Sequence, residues 1–306
     1  MIVSDLSKAE FSRRLGKGQL FLRTGPFISR IQTSIASIQS GIALLYAGFP
    51  VYDDAPFADF HVALKKPPDL RRWFRPQVIF KFDGWAPFKP LPLNQAFAMF
   101  EWGMNWCVVN HAHRYLVLHA AVVERNGCAM IMPAPPGSGK STLCAALVSS
   151  GWRLLSDELA VISLDTAGLV PLPRPVGLKN QSIAVIRQRY PDVTIGKEAH
   201  DTTKGTVAHM QPPAESIARQ QEAARPAWIL FPKYTPGHPL ELQRYSKAQS
   251  LLKLVENAFN FTVLGKQAFD CLGQVIDRSD CFTLEYSSLD EAVLQLNALE
   301  IPEPCV

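Results

Sequence analysis

Residues 128–151 constrain the fold of this chain more than any other segment. The apolar run Cys128-Ala129-Met130-Ile131-Met132 reads as a strand, and Leu143-Cys144-Ala145-Ala146-Leu147-Val148 reads as a helix that closes at Gly151. Between them lies Pro133-Ala134-Pro135-Pro136-Gly137-Ser138-Gly139-Lys140-Ser141-Thr142. Gly137 and Gly139 let the backbone turn its N–H groups inward, Lys140 brings a cation to the start of the helix, and the Ser141 hydroxyl follows it. A loop so built cradles phosphate oxygens. Pro136, Gly137, Ser138, Gly139, Lys140, Ser141 and Thr142 are therefore the expected nucleotide-binding positions, with Ser141 suited to magnesium. Ala134 stands where such loops usually carry their first glycine. The plainer alternative is an ordinary glycine-rich turn between strand and helix.

Composition narrows the classes around that loop. A chain of 306 residues with 47% hydrophobic content can hold two domains, or one large domain with an appended module. The 31 basic and 27 acidic residues leave a net charge of only +4 and are spread along the sequence, so charge gives no case for nucleic acid or a membrane surface. The first residues show no apolar core followed by a small-residue cleavage site, and no run approaches the roughly 18 apolar residues of a membrane helix. Cys107, Cys128, Cys144, Cys271, Cys281 and Cys305 form no Cys-x-x-Cys pair. The expectation is a cytoplasmic protein with reduced, mostly buried thiols and no disulfide.

Periodicity outlines the remainder. Gln19 to Arg30 reads as two strands about a Thr24-Gly25-Pro26 turn, Ile35 to Leu45 as a helix, Phe57 to Leu64 and Val78 to Phe82 as strands. Phe97, Phe100, Trp102, Trp106 and Val109 suit one face of a helix over 94–111. Tyr115 to Glu124 and Cys128 to Met132 form a hairpin about Asn126-Gly127. Trp152 to Leu164 reads as a strand carrying Ser156-Asp157-Glu158, expected to neighbour the strand that enters the loop, since only 157 − 140 = 17 positions separate Lys140 from Asp157. Residues 188–225 show little periodicity and read as a loop-rich excursion. Trp228 to Phe231 reads as a strand, Lys247 to Val255 and Ser288 to Leu299 as helices. The expected division is an N-terminal β-rich α+β module at 1–93 and a phosphate-loop kinase-like domain at 94–306.

Several side chains could carry chemistry beside the loop. Asp157 and Glu158 end an apolar strand where a phosphoryl-transfer enzyme needs a carboxylate to hold magnesium or accept a proton. Adjacent strand residues face opposite ways, which favours Asp157 as the one turned to the nucleotide; a solvated acidic pair is the alternative. His119, between Leu118 and Ala120, is either a second member of that site or a hydrogen-bonded core histidine. Arg174 and Lys179 bracket Pro175-Val176-Gly177-Leu178 and could stabilise charge on a transferred phosphoryl group, or be surface cations. Lys204-Gly205 is a weaker candidate of the same kind. Lys65, Lys66, Arg71, Arg72, Trp73 and Arg75 match no nucleic-acid module and read as a solvated basic edge. The chain has neither an Asn-Lys-x-Asp guanine reader nor a Ser-Gly-Gly-Gln transporter signature.

Together, His119, the loop at 134–141, the short helix and Leu154-Leu155-Ser156-Asp157-Glu158 resemble the catalytic domain of HPr kinase/phosphorylase. Leu22-Arg23-Thr24-Gly25-Pro26-Phe27, Leu45-Tyr46-Ala47, Ala58-Asp59-Phe60-His61-Val62, Pro173-Arg174-Pro175 with Leu178-Lys179-Asn180, and Thr203-Lys204-Gly205 with Val207-Ala208-His209 resemble the HPr kinase-related kinase A family over nearly the whole chain. The resemblance implies an α/β phosphate-loop nucleotide domain of the HPr kinase/phosphoenolpyruvate-carboxykinase-like type. It also implies ATP as donor, Asp157 as base and His119 in support. Departures are Lys140-Ser141-Thr142 for Lys-Ser-Glu, Glu158 for the second aspartate, and no counterpart of Arg-Gly-Leu-Gly. The resemblance therefore does not carry over HPr as substrate or phosphorylase activity.

The resulting expectation is an ATP- and Mg²⁺-dependent kinase acting on a hydroxyl of a protein, peptide or small molecule. Its catalytic group is Asp157, His119, Lys140 and Arg174, and its metal group is Ser141, Asp157 and Glu158. A nucleotide-binding regulatory or maturation module with little or no transfer, and a small-metabolite kinase, are the competing readings.

Overall fold

The structure is a computed structural model and describes residues 1–53, 57–68 and 74–301. Arg71, Arg72 and Trp73 of the basic cluster and Cys305 lie outside them. The chain is mixed α/β with several sheets and divides into two compact units, Met1–Val108 with Gly177–Ile217, and Val109–Val176 with Ala218–Val306. In this division 94–108 and 177–217 fall in the same unit as residues 1–93. Among the described residues no helix is long and apolar enough to cross a membrane.

In the first unit, helix α1 (Lys8–Lys17) is capped by the Ser7 hydroxyl, which accepts from Glu10 N, and ends on left-handed Gly18. Strands β1 (Leu20–Thr24) and β2 (Phe27–Thr33) make the expected hairpin; helix α2 (Ala36–Leu45) and β3 (Val51–Tyr52) follow. Strand β4 (Phe60–Lys65) then lies parallel to β2, and β5 (Gln77–Phe82) and β6 (Leu91–Pro92) complete the order β3-β1-β2-β4-β5-β6. Strand β4 starts three positions later than the sequence suggests, and Phe57 is exposed.

Helix α3 (Ala96–His111) buries Met99, Phe100, Gly103, Met104, Cys107 and Val108; of the aromatics expected on its buried face only Phe100 is fully buried, and Phe97, Trp102 and Trp106 sit on its flanks. The reason is Gly103: a Cβ there would lie 2.0 Å from the Phe80 ring, so the small residue sets which face meets the sheet.

The region expected to be a loop-rich excursion is ordered. The end of helix α5 (Gln181–Arg189), β13 (Ala199–Thr202), β14 (Gly205–Met210) and helix α6 (Ala214–Ala218) lie in it, and with β12 (Val176–Lys179), which precedes it, these strands form a sheet of order β12-β14-β13. Its polar turn hides the pattern. Asn180 Oδ1 accepts from Thr206 N at 3.0 Å, and Gly205 takes a left-handed conformation against that side chain.

The second unit is built on one mixed sheet. Strands β7 (Tyr115–Arg125) and β8 (Cys128–Pro133) form the predicted hairpin, with Asn126 and Gly127 both at positive φ as a two-residue hairpin turn requires. After the glycine-rich loop comes helix α4 (Lys140–Ser149), then β9 (Arg153–Ser156), β10 (Leu159–Ser163) and β11 (Leu169–Val170). Strand β15 (Arg225–Tyr234) runs parallel to β8, β17 (Asp280–Tyr286) parallel to β15, and β16 (Glu241–Arg244) antiparallel at the edge. The order is β11-β10-β7-β8-β15-β17-β16, with β9 also on β7. The expected adjacency of the Asp157 strand and β8 is therefore incorrect: β7 separates them, because the hairpin keeps β8's first edge and β15 takes the other.

Helices α7 (Lys247–Glu256), α8 (Phe261–Leu264) and α9 (Lys266–Asp277) bury Leu254, Leu272, Val275 and Ile276 in one cluster with Leu116, Leu118, Ala120 and Val122 of β7. Helix α10 (Leu289–Asn297), capped by Ser288, ends against Arg125, whose guanidinium donates to Asn297 O and Leu299 O and stacks on Trp152.

Candidate active site

The glycine-rich loop owes its shape to two residues. Gly137 and Gly139 have φ of +88° and +86°, a region costly for any residue with a Cβ. Gly139 is also the N-cap of α4 and, having no side chain, offers no side-chain cap to the first turn. Pro135, Pro136 and Gly137 are exposed, whereas Ser138 is buried. The far side of the loop is tied to the sheet where Tyr234 N donates to Ser138 O at 2.9 Å.

His119 lies at a change of partners along β7. On one edge of β7, β10 pairs through Leu159↔His119, and β9 takes over from Val122↔Ser156. On the other edge His119 N donates to Asn257 O at 2.8 Å, and β8 begins opposite Ala120. Strand alternation turns Leu118 and Ala120 to the core cluster and His119 to the opposite face. There its Nε2 lies 3.1 Å from Lys140 Nζ and 3.4 Å from Glu158 Oε2. The Phe259 ring stands 6.0 Å away, centroid to centroid.

The acidic pair does not sit within a strand. The chain bends at Asp157 and Glu158, between β9 and β10, and Ser156 Oγ accepts from Leu159 N at 3.2 Å across the bend. The small residues Ala120 and Ala121 lie on β7 between the two registers. The opposite-faces argument therefore fails at its premise, since it holds for extended backbone. Asp157 is 3% exposed, and the Glu158 side chain, 24% exposed, is the one that meets His119. Asp157 still belongs to the cluster. Burial pushes the Cys144 thiol well above its ordinary value; the Asp157 carboxylate pushes the same way and the Lys140 ammonium opposes it, so both charges act on the first turns of α4.

Lys140 is 7% exposed, an unusual setting for an ammonium group. Ser141 and Thr142 are half-buried beside it. Arg174 is also buried in this unit; the segment is fixed where Leu172 N donates to Leu155 O at 2.7 Å, next to β9. Lys179, by contrast, ends strand β12 in the first unit and donates its amide to Ser182 Oγ at 2.7 Å. The segment expected to be a loop from Arg174 to Lys179 is thus a strand from Val176 onward. Lys204 is likewise in the first unit, 5.8 Å from the Trp102 ring.

Other polar groups of this unit are structural. Arg153, buried at the start of β9, pairs with buried Glu124 of β7 and donates to Arg219 O and Glu222 O at 3.0 Å each. The expectation of no disulfide needs correction: Cys128 is disulfide-bonded, while Cys107, Cys144, Cys271 and Cys281 are buried and form no disulfide. The lack of a Cys-x-x-Cys spacing carried no information about this bond.

Sequence reasoning overlooked Tyr234 and Tyr286. A Cβ on Gly139 would lie 2.8 Å from Tyr286 Oη and 3.0 Å from Tyr234 Cβ, so these two form the wall behind the loop. The alternation of Phe282, Leu284 and Tyr286 in the last strand was the available signal. No protein-family model matches this chain, and no curated protein matches it.

Proposed function

We propose that this chain is an ATP- and Mg²⁺-dependent kinase that transfers a γ-phosphoryl group to a hydroxyl of a protein, peptide or small molecule. The observation that carries this reading is the buried Lys140 ammonium at the uncapped start of α4, following left-handed Gly137 and Gly139 and hydrogen-bonded to His119. A cation at a helix N-terminus that has no side-chain cap suits a polyphosphate. In this reading the second unit is a phosphate-loop nucleotide domain of the HPr kinase/phosphoenolpyruvate-carboxykinase-like type, in line with the motifs from His119 to Glu158.

Phosphoryl transfer asks a protein chiefly for positioning and charge neutralisation. The amides from Pro136 to Thr142 and the Lys140 ammonium bind the triphosphate. Among the described residues no group of three or more His, Cys, Asp and Glu side chains could hold a metal ion, so a metal here would draw on the Ser141 hydroxyl, Asp157 and Glu158 together with nucleotide oxygens. Magnesium, when bound, screens the phosphate charge. Asp157, the more enclosed carboxylate, accepts the proton of the acceptor hydroxyl. His119 orients Lys140 and Glu158 through its Nε2. Arg174 supplies a further cation for charge that develops during transfer.

The deciding experiment incubates the purified protein with γ-labelled ATP and lysate of its own source. A single labelled polypeptide or one labelled small molecule, lost in Lys140→Ala, supports the kinase and names its acceptor class. Tight ATP binding without any label would replace this reading by a nucleotide-binding module.

A further inference from the structure

The wall behind the loop carries a hydroxyl with no evident structural employment. Tyr286, last residue of β17, is 1% exposed, and among the described residues its Oη takes part in no hydrogen bond. The ring is enclosed, yet its oxygen is not one of the wholly buried unsatisfied atoms, so the hydroxyl keeps access to the space beside the loop. It points at the loop: it occupies the space a side chain at Gly139 would fill, 2.8 Å from the ideal Cβ position. Beside it in the loop, Ser138 Oγ is wholly buried and has no hydrogen-bond partner among the described residues. Burial, with Tyr234 adding to it, pushes the Tyr286 phenol well above its ordinary value, so it remains a donor at any working pH.

We propose that Tyr286 is a further phosphate-binding residue, its hydroxyl donating a hydrogen bond to a non-reacting phosphate oxygen of the nucleotide at the Gly139–Lys140 turn. This rests on the reading of the loop as a nucleotide site. Tyr234 has a different part. It meets Gly139 through its Cβ, its side chain is otherwise half exposed, and its backbone amide holds Ser138 O; its hydroxyl is not required.

The test measures the affinity of Tyr286→Phe for Mg-ATP and for inorganic tripolyphosphate by calorimetry, beside the unmodified protein and Tyr234→Phe. Because the hydroxyl has no protein partner, its removal orphans nothing, and the melting temperature should hold. A hydrogen bond to an anion is worth roughly tenfold or more in affinity. The expected result is about a tenfold loss for both ligands in Tyr286→Phe, and none in Tyr234→Phe. Tripolyphosphate binding by Tyr286→Phe equal to that of the unmodified protein would overturn the assignment while leaving the loop reading intact. If the unmodified protein bound neither ligand, the loop reading would fall and this inference with it.

Discussion

The imidazole of His119 presents one nitrogen to two opposite charges: Nε2 is 3.1 Å from Lys140 Nζ and 3.4 Å from Glu158 Oε2. Only one of these can use it at a time. A bare Nε2 accepts from the ammonium, whereas a protonated Nε2 donates to the carboxylate. The nitrogen thus ties the start of α4 to the bend between β9 and β10, and a substitution at any of the three residues disturbs the other two.

Lys140→Ala should weaken Mg-ATP binding by about ten- to a hundredfold, the range expected for losing one charge-assisted contact. Calorimetry on the folded variant measures this. Unchanged affinity would mean that the loop does not hold the triphosphate.

Asp157→Asn should keep Mg-ATP affinity within a few fold while transfer falls by about a hundredfold or more, since an amide neither accepts the proton nor carries the charge. Glu158→Gln should cost less, because its carboxylate acts through His119. Single-turnover transfer beside binding separates the two; equal losses would move the base to Glu158.

Removing the Arg153 side chain leaves Glu124 as a buried charge without its main cation. Arg153→Ala should destabilise the protein by about 3–5 kcal/mol, read as a lower urea midpoint. Arg153→Met combined with Glu124→Gln should recover part of that loss, and a double variant no better than the single would refute the pairing argument.

Burial pushes the Cys271 thiol up to about 11 and the Cys144 thiol well above its ordinary value. Both should resist alkylation near pH 8 in the folded protein and react once it is unfolded, as mass spectrometry of the modified protein would record. The linkage has a definite sign. Folded pKa values above the unfolded value of about 8.5 give stability that is complete below that pH and is lost as pH rises through the folded values. The melting temperature should accordingly fall between about pH 9 and 11.

The parts of this fold legible in the sequence are those where local chemistry and tertiary packing agree. Asn126-Gly127 specified a hairpin turn, the apolar run before Gly137 a strand, and the residues after Lys140 a helix; all three appear at the expected places. Helix α1 carries a local signal of the same kind, which the sequence reading did not use: Ser7 accepts from Glu10 N at its start and left-handed Gly18 ends it. What local signals missed depends on distant partners. Strands β13 and β14 have exposed or polar positions and are fixed by Asn180 and by mutual pairing. Asp157 and Glu158 leave the strand because β7 changes partner beside them, which no periodicity within residues 152–164 records. Tyr286 lies 147 positions after Gly139 (286 − 139) and reaches it only through two parallel pairings, β8 with β15 and β15 with β17.

The connectivity of the two units has a consequence for synthesis. The first unit needs Gly177–Ile217, so its last pieces leave the ribosome 109 residues (217 − 108) after Val108. At about 5–20 residues per second, that is a wait of roughly 5–20 s. During it, the β7–β8 hairpin, the glycine-rich loop and the Asp157 bend are already made but lack β15 and β17, the strands that complete their sheet. The first unit has all its pieces once Ile217 has emerged, whereas the second still waits for β15 and β17. A stop codon after residue 108 would release the six-stranded sheet without Gly177–Ile217, and expressing the second unit alone would require joining residue 176 to residue 218.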